Sequence, residues 1–328
     1  MSARVNAVTS TPAAAAVRSR RRLGDRFGDL ALHGLTAAAT LAAFVLLGGI
    51  AWKIFDLAHP AISRFGLGFV THQGWDAVHN RFAALDLIWG TALTSFLALL
   101  IAAPVSIAIG LYLSELAPRG IRLVIATLVE LLAAIPSVVL GLWGVLVLGP
   151  FIGTRVEPWL HAHFGFIPLF GSSAENSGIL IAVLVLTIMV VPICSSICRE
   201  LFTNVPTELE EGALALGATR WEMVRGVVLP YTRTGVSAAL ILGLGRAVGE
   251  AIAVTMVIGA GYGIHWSLFR TGDTLASKIA AQYQGAASNI QLASLVYLAA
   301  ILLVISLLVN IAAQVIVRRF SYQRMGGS

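Results

Sequence analysis

The sequence predicts an all-α, polytopic membrane protein of about six transmembrane helices. Three observations predict it. Of 328 residues, 58% are hydrophobic and only 12% are charged, where a soluble domain is roughly one-quarter charged. The mean hydropathy is +0.87, so most of the chain has to lie in lipid or against other apolar surface. The apolar residues also fall in six long runs, each near the roughly 20 residues that cross a bilayer.

The runs lie at about Leu30–Ile54, Leu87–Ser114, Ile121–Ile152, Ile179–Ile197, Gly235–Ala260 and Leu292–Val317. They are too long for strands and too continuous for half-buried soluble helices. A helix satisfies its own backbone inside hydrocarbon. Pro104 and Pro136-Ser137 fall inside runs; prolines there fit either kinks along a pathway or irregular packing. Residues 1–29 read as a disordered, basic cytoplasmic tail and 30–328 as the membrane domain, with its core at about 87–317. The run from Leu30 reads as an uncleaved first span rather than a signal peptide, because no small-residue cleavage site follows it.

Arginines orient the bundle. Arg18, Arg20, Arg21, Arg22 and Arg26 precede the first run, Arg119 and Arg122 follow the second, and Arg199, Arg220, Arg225 and Arg233 follow the fourth. Arg318, Arg319 and Arg324 follow the sixth. With six spans these segments share one side, and the other side holds only Arg64, Arg81, Arg155, Arg270 and Lys278. The positive-inside rule then places both termini in the cytoplasm. This distribution also accounts for the net charge of +6 without a nucleic-acid partner, for which clustered lysine and arginine would be needed.

Two outer segments are rich in aromatics. His59–Asp86 contains Phe65, Phe69, Trp75 and Phe82, and Gly153–Gly178 contains Trp159, Phe164, Phe166 and Phe170. They fit interfacial anchoring, or else a surface for an external partner or a short re-entrant helix. Cys194 and Cys198, one turn apart in an apolar run, read as small buried hydrophobes. His161 and His163 lack a third metal ligand.

The loop 205–231 is the most informative segment. Pro206 suits a helix start, and Glu208, Glu210 and Glu211 crowd the turn where the helix dipole favours acid. Ala213-Leu214-Ala215-Leu216 follows, then Gly217, then a second apolar stretch ending at Pro230. The pattern predicts two short helices joined at a glycine outside the bilayer; taken alone, it also fits an amphipathic helix on the membrane surface.

Glu210-Glu211-Gly212-Ala213 through Gly217, with Leu229-Pro230 downstream, resembles the EAA loop of ABC-importer permeases. Ile135-Pro136-Ser137-Val138-Val139 with Gly141-Leu142-Trp143-Gly144, and Leu244-Gly245-Arg246-Ala247-Val248-Gly249-Glu250, resemble segments of the PstC-type permeases of bacterial phosphate importers. Gly90-Thr91, Thr94-Ser95, Leu113-Ser114-Glu115-Leu116-Ala117-Pro118, and the stretch from Arg64-Phe65-Gly66 to Trp75-Asp76 match as well. The resemblance covers about Arg64 to Arg319. It implies a type I ABC importer fold and a heterodimer with a PstA-type permease. It also implies a PstB-type cytoplasmic ATPase dimer and a PstS-type extracytoplasmic phosphate-binding protein. Glu210, Glu211, Gly212, Ala213, Gly217, Leu229 and Pro230 would then couple to the ATPase.

Arg246 and Glu250 are charges within the fifth run. Each costs about 3 kcal/mol at a helix centre and so marks a pair or a polar path. Four apart, they share a helix face; Gly243, Gly245 and Gly249 thin that helix for close packing. They fit an internal ion pair, or a guanidinium offered to a passing oxyanion, which is what the resemblance implies for phosphate. Glu130 in the third run either pairs with Arg246 across the bundle or snorkels to the interface. No Gly-x-x-x-x-Gly-Lys-Ser/Thr occurs, so the chain is expected to be a non-catalytic subunit that binds no cofactor, with ATP used by the partner ATPase. Sulfate or molybdate are alternative substrates. An ion-coupled secondary transporter is the remaining alternative, but the inverted repeats expected of one are not visible.

Overall fold

A computed structural model of the chain describes residues 23–171 and 177–322. It divides into two units, 1–53 and 54–328. Most of the expected 1–29 tail lies outside the described residues, but helix begins at Leu23, inside that expected tail, and continues to Phe65. Among the described residues, six helices are long and apolar enough to cross a membrane. After the first, they are Leu85–Leu116, Ser137–Phe164, Ile179–Thr203, Arg220–Gly249 and, reaching at least Val315, the helix Asn289–Tyr322.

The fourth span is the hub of the second unit. Ile181, Val185, Leu186 and Val190 are buried in one cluster with Ala98 and Ala102 of the second span and Val254 and Val257 beyond the fifth. Small residues permit the close crossings. A Cβ at Gly243 would stand 2.5 Å from Cys194 Sγ, and one at Gly110 would stand 2.9 Å from Cys198 Cβ. Both cysteines are free and buried, and Cys194 donates to the Ala239 carbonyl at 3.4 Å. The first peptide N–H groups of the fourth span have no partner within their own helix. Gly178, Ile179 and Leu180 instead donate to Val257, Arg270 and Leu268 carbonyls at 3.0, 3.0 and 2.8 Å. The loop between the fifth and sixth spans thereby caps the central helix.

The expected third run, Ile121–Ile152, is two helices. Arg119–Ala134 ends at Ile135, whose ψ of 127° is extended, and Ser137–Trp143 begins after Pro136. A proline disfavours the helical region for the residue before it, and the break follows. The second piece continues to Phe164, so part of the expected outer segment 153–178 is helix. There Trp159 stacks on His163 at 4.7 Å. His161 and His163 bond separately to the carbonyls of Phe170 and Trp159.

Other prolines widen a helix without breaking it. Gly149, Glu157 and Leu229 each donate their N–H to the carbonyl five residues back, at Gly144, Ile152 and Val224. Each immediately precedes a proline: Pro150, Pro158 and Pro230. Ala117, before Pro118, does the same to Tyr112 as the second span ends. Proline lacks an N–H and its ring crowds the carbonyl four residues back; one wide turn relieves both. Pro230 therefore does not end a short loop helix, as its sequence context suggested. It lies inside the fifth span, which starts at Arg220.

Candidate functional site: an interrupted helix and the loop before the fifth span

The fifth span stops at Gly249. Glu250 has a ψ of 121°, and a short helix, Ile252–Val257, follows. Glu250 is therefore not on a continuous helix face with Arg246, as a spacing of four suggested. The pair forms nonetheless, at 3.7 Å. The other carboxylate oxygen of Glu250 accepts the N–H of Ala253 at 3.2 Å. A buried carboxylate thus caps the restarted helix, where the helix dipole favours negative charge, while holding the guanidinium.

The two charges differ in access. The Glu250 side chain is 7% exposed and that of Arg246 is 45% exposed. Around Arg246, Gly245 and Gly249 would meet nothing within 4 Å if a Cβ were added. Of the three glycines expected to pack against neighbours, only Gly243 does so. The other two leave open space beside the guanidinium. The restarted helix packs on the second piece of the interrupted third helix: a Cβ at Gly141 would stand 3.0 Å from Ala253 Cα. The two helices that restart after the interruptions at Ile135–Pro136 and Glu250–Ala251 thus pack directly on each other. Non-helical backbone at membrane depth is tolerated where it is buried in protein or lines a polar cavity.

Glu130 pairs with neither Arg246 nor solvent alone. Its carboxylate accepts from Arg199 of the fourth span at 2.9 Å.

On the other side of the fifth span, Thr207–Ala215 is helical, with Glu208 and Glu210 in its first turn. Gly217 then adopts a φ of +89°, and Ala218 donates to the Ala213 carbonyl, a left-handed helix stop that suits glycine. Thr219 and Glu222 form a reciprocal capping box that starts the fifth span. Glu210 is half-buried; Glu211, Gly212 and Gly217 are exposed. Leu229 and Pro230 lie past the wide turn, within the span. Leu216 and Trp221 stand 91% and 64% exposed, apolar side chains of a kind that mark a docking surface. Beside them, Leu111, Glu115, Glu210, Leu214 and Trp221 line a cavity of about 480 Å³. Burial, and then the charge of Glu115, hold the Glu210 carboxyl above its ordinary value.

Sequence reasoning missed a second charged cluster. Lys278 and Asp273 pair at 3.0 Å with side chains only 2% and 9% exposed. The ammonium also lies 4.7 Å from the Tyr262 ring and 5.9 Å from that of Trp75. A lysine within a short loop stretch reads as a solvated charge; only the Ala-Ser-Lys-Ile-Ala helical pattern of Leu275–Gln282 hinted at a buried face.

The profile of the family described as "Binding-protein-dependent transport system inner membrane component" matches residues 106–322. The chain belongs to this family. Among its relatives, the "Phosphate transport system permease protein PstC" of Mesorhizobium japonicum is 42% identical, over 93% of this chain and 95% of that one. That of Pasteurella multocida is 38% identical, over 91% and 94%. The "PstC 1" protein of Mycobacterium tuberculosis is 41% identical, over 79% of each chain. A bacterial alginate ABC transporter, solved in complex with an alginate-bound periplasmic protein, aligns with a TM-score of 0.58 at 21% identity, over 90% of this chain and 98% of that one. An inward-facing MetNI methionine transporter aligns at 0.50. These solved structures show the fold: this family member is an all-α, multi-pass inner-membrane protein with the type I ABC importer permease architecture.

Proposed function

We propose that this chain is a permease subunit of a phosphate ABC importer. The observation that carries the reading is Arg246: a guanidinium on an open, glycine-lined helix face, held from behind by the buried carboxylate of Glu250 at a helix interruption. A guanidinium fork suits phosphate oxygens, and the neighbouring carboxylate keeps an anion from being held too tightly to leave. Glu130, tied to Arg199, is assigned to the pathway after these two. The names of the relatives support phosphate over other oxyanions.

Both termini are assigned to the cytoplasm, which puts the loop 205–231 on the ATPase side. There Glu210, Glu211, Gly212, Ala213 and Gly217 form the docking surface, and Leu229 and Pro230 join it to the fifth span. A second permease completes the pathway, an ATPase dimer supplies the energy, and an extracytoplasmic binding protein delivers phosphate. Closure of the ATPase dimer moves the loop helix Thr207–Ala215, and through the turn at Gly217 that movement is passed to the fifth span, which is one continuous element from Arg220 to Arg246. This is alternating access through rigid-body rearrangement.

The test is uptake of radiolabelled phosphate by the reconstituted full transporter, with and without ATP, in the presence of sulfate or molybdate. ATP-dependent uptake that ignores both competitors is expected. Competition by either would reassign the substrate, and uptake indifferent to ATP would overturn the coupling role.

A further inference from the structure

On the half of the fifth span nearer the loop 205–231, Ala238, Ile241 and Leu242 meet Asn310, Gln314 and Val317 of the sixth span around an open groove of about 400 Å³. No acidic residue lines it. Its polar side chains are two carboxamides four residues apart, on one helix face. Asn310 is exposed and donates one N–H to the Ser306 carbonyl at 2.9 Å. An amide nitrogen carries two hydrogens, so a second is left for another partner. Gln314 is exposed and makes no hydrogen bond to a described residue.

These amides do not stand where lipid would lie. The exposed apolar residues of the sixth span, Val304, Leu307, Leu308, Ile311 and Val315, form one stripe. At about 100° per residue, Asn310 and Gln314 sit roughly a quarter turn from the centre of that stripe, where the fifth span borders the groove. Polar side chains at membrane depth face a water-filled cavity or a polar neighbour. The groove also shares a face with the anion site. Ala238, Leu242 and Arg246 are all exposed and recur every four residues, and Leu242 lies only about 6 Å of helix rise before Arg246. At the other end, Gln314 is about 6 Å of rise before Arg318, where the apolar run ends. The groove therefore leads from the turn below Arg246 to the end of the span.

We propose that Asn310 and Gln314 form a second station on the anion's path, where carboxamide N–H groups take phosphate from Arg246 and pass it out of the bilayer on the side of the loop 205–231. The proposal rests on the phosphate reading under Proposed function and extends it to a helix outside that site. A guanidinium holds an oxyanion by charge-assisted, two-pronged hydrogen bonds. A carboxamide offers neutral donors, which replace lost water without adding a countercharge. A weaker site after a stronger one lets the ion leave, as conduction requires. With no acidic group in the lining, nothing there repels the anion. The two amides are therefore expected to tolerate exchange for each other and not for leucine.

The test places cysteines in the groove, because both native ones, Cys194 and Cys198, are buried and give little background. Asn310→Cys, Gln314→Cys and Leu242→Cys are made singly in the complete transporter in nanodiscs and treated with an anionic, membrane-impermeant methanethiosulfonate, which modifies only thiols that meet water. Labelling of this chain is expected at all three positions without nucleotide. It should be at least tenfold slower when vanadate locks the ATPase closed, and severalfold slower in excess phosphate but not in chloride of the same ionic strength. In parallel, Asn310→Leu with Gln314→Leu is expected to cut phosphate uptake at least tenfold in the assembled complex, whereas Asn310→Gln with Gln314→Asn keeps most of it. If the leucine pair does not assemble, the labelling alone decides. Cysteines that stay unlabelled, or that label without protection by phosphate, would overturn the groove as a path, and normal uptake by the parent would leave the transport reading intact. Loss of the second permease from the leucine variant, with unlabelled cysteines, would assign the amides to a subunit interface and also overturn the proposal. A parent that takes up no phosphate with ATP would overturn the phosphate reading and the proposal together.

Discussion

Lys278 and Asp273 offer the sharpest stability prediction, because their exposures of 2% and 9% leave almost no water to replace a lost partner. Removing one member of a buried pair costs about 3–5 kcal/mol, since the survivor stays charged and buried. The two survivors differ. After Lys278→Met, Asp273 keeps the N–H of Thr274 at 3.0 Å and the hydroxyl of Ser277, which places that variant near about 3 kcal/mol. After Asp273→Asn, the ammonium loses its counter-charge and keeps an amide oxygen and the faces of Tyr262 and Trp75, which places that variant nearer about 5 kcal/mol. The double variant holds no charge at the site and recovers much of the loss, a coupling of about 2 kcal/mol or more. Unfolding titrations of parent, both single variants and the double variant in mixed micelles measure this cycle. Either single variant within about 1 kcal/mol of the parent, or a double variant as unstable as the sum of the two, would refute the reasoning.

Arg246→Gln removes a charged hydrogen-bond donor, worth about 1.5–3 kcal/mol, so uptake at low phosphate falls roughly 10- to 100-fold while the complex still assembles; normal uptake by the purified, reconstituted variant sinks the pathway assignment. Gly90→Ala would place a Cβ 2.0 Å from the Asp273 carbonyl oxygen, forcing the second span away from the loop between the fifth and sixth spans at a cost of about 1–3 kcal/mol in the same titration; no cost would contradict the close approach. Gly217→Ala strains a φ of +89° by about 1–3 kcal/mol, and transport-stimulated ATP hydrolysis by the assembled complex is expected to fall while basal hydrolysis persists; full stimulation would show that the turn is not needed for coupling. The His79 ring, then the backbone N–H of His79, hold the Asp76 carboxyl below its ordinary value. Its stabilisation of the two-stranded hairpin formed by Trp75–Asp76 and Arg81–Phe82 is therefore complete above pH of about 4 and is lost as pH falls through the lower folded value. Hydrogen exchange of the Val78 and His79 amides between pH 6 and 3 reads this, and loss of protection already above pH of about 5 would contradict it.

The bilayer makes much of this chain legible one residue at a time. Hydrocarbon demands about 20 apolar residues per crossing and internal backbone bonding, so six spans follow from composition along the chain. Local rules also reach Gly217, where a helix stops between Ala215 and a new capping box, and the pairing of Arg246 with Glu250, since four residues bring the two within reach whether or not the helix continues. The break at Ile135 was local as well, written in the proline that follows it, yet hydropathy cannot see it because both pieces are equally apolar.

What hydropathy and spacing could not supply was decided by neighbours far along the chain. Glu130 meets Arg199 rather than Arg246 because the piece Arg119–Ala134 lies against the fourth span. Lys278 is buried because Asp273, Tyr262 and Trp75, the last about two hundred residues away, converge on it. Gly243 packs while Gly245 and Gly249 do not, because only one face of the fifth span meets Cys194 and Val190. Sequence alone determined which segments enter the membrane and which residues carry charge there, since those depend on transfer between water and lipid. Tertiary structure alone decided which charges are paired, buried or open, since pairing and access depend on which helices meet.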